Sequence, residues 1–228
     1  MNTPLSLAAL TTILFGAIQS QGQSVTFNFQ DGTADGWSSG GFSSSTALSV
    51  ASIGGNNYIA VPIGGFQVAN VGSGNTSSSF FQAMAAAAQN PSGYVLSYNW
   101  YVNTATFTGA NANSYLQIGA FVNDGAGDYA QDFGSVKEVQ LSGAQLSSGA
   151  VITGSASVNM GAAGLTLVTP GQTFYRLGLI ENGDSGVPYQ VEFTDISISP
   201  VAVPEPASLS LIWGLAAPAL CLIPRRRR

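Results

Sequence analysis

The sequence has no histidine, only one cysteine and few charged side chains among its 228 residues. The absence of histidine excludes Ser-His-Asp and Cys-His catalysis, and it excludes zinc or haem sites with histidine ligands. Because Cys221 is the sole cysteine, no disulfide can form within the chain. Charged residues make up 7% of the chain, whereas about a quarter is typical of soluble domains. Serine, threonine, asparagine and glutamine must therefore provide most of the polar surface, as is common in extracellular β-proteins.

Basic residues are especially scarce outside the C-terminus. Four of the six are the last residues of the chain, and the only others are Lys137 and Arg176. Residues 1–224 thus combine two basic with eleven acidic residues, a formal charge of −9. Because phosphate binding needs clustered lysine and arginine, we expect no nucleic-acid partner.

The N-terminal segment, residues 1–22, is predicted to be a secretory signal peptide. Apolar residues predominate from Leu5 to Ile18, and a polar stretch follows before the first strand-like segment. The amino terminus supplies the only positive charge ahead of the apolar stretch. Alternatively, the apolar stretch is a buried helix of the mature fold.

The C-terminal segment, residues 201–228, has three parts in a fixed order. A Pro-Glu-Pro motif precedes an uncharged, largely apolar run from Ala207 to Pro224, and four arginines end the chain. The run lies at the short end of the range that spans a membrane, and the arginines would hold their end in the cytoplasm. The two prolines favour an extended, accessible backbone ahead of the predicted helix.

These three parts resemble the PEP-CTERM sorting signal of Gram-negative bacteria. The resemblance implies recognition by an exosortase, a membrane-embedded transpeptidase-like enzyme, in cells that usually make exopolysaccharide. It also implies transient anchoring in the inner membrane and later release to the cell surface or extracellular matrix. Pro218 departs from the smoothest examples of the helix, and a plain single-span anchor would have the same topology. The residues that carry the resemblance are Pro204, Glu205, Pro206, Arg225, Arg226, Arg227 and Arg228.

The body of the chain, residues 23–200, is predicted to be one β-sandwich domain. Apolar alternation with a period of two recurs between clusters of Gly, Asn, Ser and Asp. The alanine-rich stretch 79–89 predicts one short helix, which ends at Asn90 and Pro91. We therefore expect an all-β, antiparallel jelly-roll sandwich, because the chain lacks the internal repeats of propellers and solenoids. The alternation predicts strands at 25–29, 47–53, 58–62, 94–103, 114–123, 137–141, 151–158, 174–180 and 189–199.

The two ends of this body resemble carbohydrate-binding modules with a galactose-binding-like jelly roll. The resemblance is carried by residues 27–37, which match the first strand and loop, and by residues 174–179 and 193–198, which match the last strands. Many domains of that superfamily hold a structural calcium where the first loop meets the last strand. The resemblance therefore implies calcium ligands at Asp31 and Asp195, although Gln30 and Thr194 depart from the pattern. Alternatively, Asp31 caps a turn and Asp195 is a surface acid.

Candidate ligand-binding residues follow from the alternation within the predicted strands. Sugar recognition needs an aromatic face together with amides or carboxylates for the hydroxyl groups. Asn99 and Tyr101 are predicted to lie opposite the core, on an open concave sheet. Tyr115, Gln117 and Arg176 are further candidates. Alternatively, each aromatic side chain serves packing or is ordinary surface.

These features together predict an exported, non-catalytic protein of the cell surface or extracellular matrix that associates with exopolysaccharide. One alternative is a structural biofilm matrix protein with no defined sugar ligand. Another is a polysaccharide hydrolase that uses a pair of carboxylates, the one mechanism that the composition leaves open. Nothing in the sequence singles out two acids for that role, so we expect no catalytic activity.

Overall fold

A computed structural model describes residues 22–39, 46–123, 139–161 and 170–202. The signal peptide predicted at 1–22 lies almost wholly outside these ranges, and so do the Pro204-Glu205-Pro206 motif and the four terminal arginines. Within the described ranges, no helix has the length and apolar character needed to cross a bilayer.

Twelve strands and two α-helices make up the described part of the chain. The strands are β1 Val25–Phe27, β2 Ser38–Ser39, β3 Thr46–Ala47, β4 Ser49–Ile53, β5 Asn56–Ala60, β6 Phe66–Ser73, β7 Tyr94–Asn103, β8 Tyr115–Asn123, β9 Val139–Ser142, β10 Val151–Asn159, β11 Tyr175–Gly183 and β12 Val191–Pro200. The helices are α1 Ser79–Gln89 and α2 Gly143–Leu146.

The strands form two antiparallel sheets that pack face to face. Sheet A has the spatial order β10-β7-β12-β5-β4, and β1 pairs with β12 beside β5. Sheet B has the order β3-β2-β6-β11-β8-β9. Every pairing recorded in either sheet is antiparallel. The expected all-β jelly-roll sandwich is therefore confirmed.

One core lies between the inner faces of the two sheets. The side chains of β7 alternate between buried and half-buried along its whole length, as the sequence predicted. Tyr98 of sheet A packs edge-on against Phe193, with ring centroids 5.8 Å apart, and Leu177 and Leu179 of sheet B are fully buried. Burying a large apolar side chain contributes about 1.5–3 kcal/mol, so this alternation supplies much of the stability.

Helix α1 closes the core where the chain crosses from sheet B to sheet A. The hydroxyl of Ser78 accepts a hydrogen bond from the Phe81 amide and caps the N-terminus. The ring of Phe81 lies 5.0 Å from that of Tyr175. The helix ends at Gln89, ahead of Asn90 and Pro91, so its predicted bounds are confirmed.

The central strand β6 was not among the predicted strands. It has four consecutive buried residues, from Val68 to Val71, instead of an alternating pattern. Ala69 and Val71 face the main core, whereas Val68 forms a second buried cluster with Phe121 and Ile180 on the outer face of sheet B. Because both faces of β6 are covered, its sequence lacks the period-two signal of a half-buried strand.

Candidate functional site

The five predicted ligand-binding residues lie on two opposite surfaces. Asn99 and Tyr101 point outward from β7 in sheet A. Tyr115, Gln117 and Arg176 belong to β8 and β11 in sheet B, where alternation against the buried inward residues places them on its outer face. The sandwich separates these two groups, so one ligand molecule of ordinary size cannot contact both.

On the outer face of sheet A, Tyr101 packs against Tyr58 with ring centroids 5.8 Å apart. Glu192 lies beside Tyr101 in the strand register, and Thr194 lies beside Asn99. Burial raises the pKa of Glu192 to about 7. Within the described residues, Glu192 Oε2 and Thr194 Oγ1 are enclosed without a hydrogen-bond partner. The two tyrosines are half-buried.

Asn99 is hydrogen-bonded to a residue of a β-bulge in the neighbouring strand β12. The register between β12 and β7 shifts between Thr194 and Ser197, and Asp195 adopts a φ of 49° within the shift. Asn99 Nδ2 donates a hydrogen bond of 2.9 Å to Asp195 Oδ2. This bond holds both side chains in place. It also occupies one polar group on each of them that would otherwise be available to a ligand.

Asp31, the other residue of the implied calcium site, is exposed in a turn. Its Oδ1 accepts hydrogen bonds from the Thr33 amide at 2.9 Å and the Thr33 hydroxyl at 2.8 Å, and these bonds lower its pKa. The nearby carbonyl of Phe29 accepts from the Gly32 amide and from Asn57. The described residues gather no group of three acidic side chains for a metal. Asp31 and Asp195 each have one oxygen in a local bond, and calcium binding at this position stays a prediction.

The outer face of sheet B carries a more accessible set of side chains near one end. Gln117, Asn182 and Phe66 lie in one row across β8, β11 and β6. Asn182 Nδ2 donates to Gln117 Oε1 at 3.0 Å. Tyr115 follows on β8, and both aromatic side chains are open to solvent, with Phe66 47% and Tyr115 36% exposed. We call Phe66, Tyr115, Gln117 and Asn182 the aromatic–amide patch.

Arg176 lies on the same face but outside this patch. Its guanidinium stacks over the ring of Phe174, 5.5 Å from the centroid. The buried cluster of Val68, Phe121 and Ile180 occupies the face between Arg176 and Asn182. Arg176 is therefore too far along β11 to contact a small ligand held at the aromatic–amide patch.

A cavity of about 430 Å³ adjoins the patch at the end of the sandwich. Asp184 connects the patch to the cavity, because it lines the cavity and is bonded to Tyr115 of the patch. Its Oδ2 accepts hydrogen bonds of 3.2 Å from the Tyr115 amide and from the Tyr189 hydroxyl. The loops that follow β7 and β11 supply the walls of this end cavity. Its lining consists of Gly109, Asn111, Asn113, Ser114, Asp184, Ser185, Gly186 and Val187.

Phe66, Asn182 and Asp184 are not among the ligand-binding residues that the sequence predicted. Asn182 and Asp184 belong to the run Asn-Gly-Asp-Ser-Gly at 182–186, which predicts a turn beyond the end of a strand. That run could have been recognised as a loop able to carry function, since binding residues are concentrated on such loops. Phe66 was missed together with its strand.

Glu181 and Glu192 are the described acids whose pKa is raised, and they do not form an accessible carboxylate pair of the kind that glycosidases use. Burial raises the pKa of Glu181 to about 8, but its side chain has no solvent exposure and lies between the sheets. Glu192 belongs to the outer face of sheet A. A substrate cannot reach Glu181 between the sheets, so these two residues cannot act on opposite sides of one glycosidic bond.

Comparison with known proteins gives structural neighbours only. No family model matches the chain, and no curated protein sequence does. A family 28 carbohydrate-binding module specific for non-crystalline cellulose is 14% identical over 75% of this chain and 90% of its own, with a TM-score of 0.46. A xylan-binding family 22 domain from Paenibacillus barcinonensis is 12% identical over 81% of this chain and 99% of its own, with a TM-score of 0.41.

A third neighbour is a family 27 module from Caldicellulosiruptor saccharolyticus, solved in complex with mannohexaose. It is 11% identical over 79% of this chain and 98% of its own, with a TM-score of 0.41. These likenesses concern the fold alone.

Proposed function

We propose that this protein binds a neutral polysaccharide at the aromatic–amide patch without cleaving it. The observation that carries the proposal is the row of Phe66, Asn182 and Gln117, with Tyr115 beside it. Two exposed aromatic rings and an amide pair on one sheet face supply both kinds of contact that a sugar needs. The ring faces suit the apolar side of a pyranose, and the amides suit its hydroxyl groups.

The polar groups of the patch are already oriented. The bond between Asn182 Nδ2 and Gln117 Oε1 fixes both amides. Gln117 Nε2 and Asn182 Oδ1 make no hydrogen bond among the described residues, so they offer a ligand an amide NH2 group as donor and a carbonyl oxygen as acceptor. Fixing side chains before binding reduces the entropy lost when the ligand binds.

Charge favours a neutral glycan over an anionic one. The patch has no basic residue, and Asp184 lies beside it. Residues 1–224 carry a formal charge of −9, so an acidic polysaccharide would be repelled.

Affinity electrophoresis of the full-length chain tests this proposal. Gels would contain soluble xylan, hydroxyethylcellulose, galactomannan or the host's exopolysaccharide. We expect retardation in at least one gel, and Tyr115→Ala should weaken it by about tenfold or more because an anchoring ring is lost. Tyr101→Ala is the matched control, since it removes a tyrosine from the opposite face and should migrate like the wild type.

Two results would contradict the proposal. Retardation that persists in Tyr115→Ala and disappears in Tyr101→Ala would place the site on sheet A. Absence of retardation in all four gels would favour the structural matrix role, which requires no defined sugar ligand.

Delivery to the cell surface or matrix is a separate part of the proposal. The order of the Pro-Glu-Pro motif, apolar run and arginine tail supports processing by an exosortase-type enzyme after transient anchoring in the inner membrane. Intact-mass analysis of protein from the host's surface fraction and medium should show loss of about the first 20 residues and of the segment after the motif. A mass that retains the four arginines would indicate a plain membrane anchor instead.

A further inference from the structure

The end cavity begins where the aromatic–amide patch stops. Tyr115 and Asp184 are joined by a backbone-to-carboxylate hydrogen bond, and Ser114 and Asp184 both line the cavity. Asn182 of the patch precedes Asp184 by one glycine on the chain. A ligand that extends along the ends of β8 and β11 would therefore pass directly from the patch into the cavity.

The cavity lining is suited to hydroxyl groups. Asn111, Asn113 and Ser185 are exposed polar side chains, and Asp184 is the only charged residue in the lining. The side chains of Asn113 and Ser185 make no hydrogen bond within the described residues. Amide, hydroxyl and carboxylate groups together can donate to and accept from several hydroxyls of one ligand.

Other ligand classes fit the cavity less well. A calcium ion takes six to eight oxygen ligands, usually from several carboxylates, and this cavity has one carboxylate whose Oδ2 already accepts two hydrogen bonds. An anion would be repelled by Asp184. An apolar ligand would contact only one apolar side chain in the lining, Val187, which is 8% exposed.

We propose that the end cavity is a second sugar-binding subsite, continuous with the aromatic–amide patch. This inference rests on the proposed polysaccharide binding and adds to it that a bound oligosaccharide spans both surfaces. The volume of about 430 Å³ lies at the lower end of the range for small-ligand pockets, so the cavity holds a short end of the ligand, not a long stretch. Affinity should therefore increase with the length of the oligosaccharide.

Isothermal titration of the full-length chain with tri- and hexasaccharides tests the subsite. The probes are xylo-, cello- and manno-oligosaccharides. Ser185→Trp fills the cavity, and Asn113→Ala removes a polar group while leaving the backbone of its loop held by Asn111 Oδ1. Ser155→Trp is the matched control, because it adds a tryptophan on exposed β10 at the outer face of sheet A.

We expect the hexasaccharide Kd to rise about tenfold in Ser185→Trp and severalfold in Asn113→Ala. The trisaccharide Kd should change by less than about twofold in both, because the patch is intact. Equal hexasaccharide affinity in the wild type and both cavity variants would overturn the subsite and leave the patch in place. If the wild type bound neither length of any probe, the proposed function itself would fail.

Discussion

At the scale of single residues, Glu181 is the most unusual group in the described core. Its carboxyl lies between the sheets, where Oε2 accepts a hydrogen bond of 2.7 Å from the Val191 amide at the start of β12. Oε1 has no partner in the part of the chain that the structure describes. Burial raises the pKa to about 8; the bond from Val191 opposes this shift, and the negative charge of Glu192 adds to it. At neutral pH the side chain is therefore mostly protonated.

This raised pKa predicts that the protein loses stability as the pH increases. The folded state holds the proton with a pKa of about 8, whereas a glutamate in the unfolded chain has its ordinary pKa of about 4.5. The stabilisation of the folded state by this proton is thus complete below about pH 4.5, and it is lost as the pH rises through about 8. The loss amounts to a few kcal/mol, since one pKa unit corresponds to about 1.4 kcal/mol. Thermal melts between about pH 5 and pH 9 should show a falling Tm.

Two variants separate the contribution of Glu181 from that of its neighbour. Glu181→Gln keeps an acceptor for Val191 without an ionisable group, so its Tm should vary much less over the upper part of this pH range. Glu192→Gln should reduce only the part of the fall in Tm that occurs up to about pH 7, where the Glu192 carboxyl titrates. If Tm fell with pH in parallel for the wild type and Glu181→Gln, Glu181 would not be the source of the pH dependence.

At the scale of elements, β11 has side chains packed on both of its faces. Gly178 lies opposite Phe121 of β8, and a methyl group added at Gly178 would collide with the Phe121 ring. The ring has no solvent exposure and contacts Val68 and Ile180 in the second cluster, so it has little room to move.

We therefore expect Gly178→Ala to destabilise the protein by about 1–3 kcal/mol, the usual cost of overpacking. Urea denaturation of the full-length chain would measure it. The double variant Gly178→Ala with Phe121→Leu should be less destabilised than the sum of the two single changes, because the smaller side chain makes room for the methyl group. Strict additivity would show that the collision is relieved elsewhere.

Strands with one covered face could be predicted from the sequence, whereas β6 and β11, which are covered on both faces, were missed or predicted too short. β7 and α1 were predicted with their observed bounds, because one face of β7 is polar and α1 has an alanine-rich sequence stopped by proline. β6 was missed since both of its faces are buried. The predicted strand at 174–180 was too short, because β11 continues to Gly183 through the buried polar residue Glu181.

At the scale of the whole molecule, alternation identified which side chains leave the core but not which sheet they belong to. Asn99 and Tyr115 were both predicted to be outward-facing, and both are. Only the strand order shows that they lie on opposite surfaces. The end cavity could not be predicted at all, because it forms where the loop after β7 meets the loop after β11, and that meeting depends on long-range pairing.

The pairing of β1 with β12 sets how the protein would be presented on a surface. Val25 pairs with Ile198, so both ends of the described body emerge at the same pole of the sandwich. The end cavity lies at the opposite pole, beside Tyr189 and the start of β12, about 30 Å away along a ten-residue strand. A molecule tethered through the chain beyond Pro200 would therefore point its cavity away from its attachment, toward the surroundings of the cell.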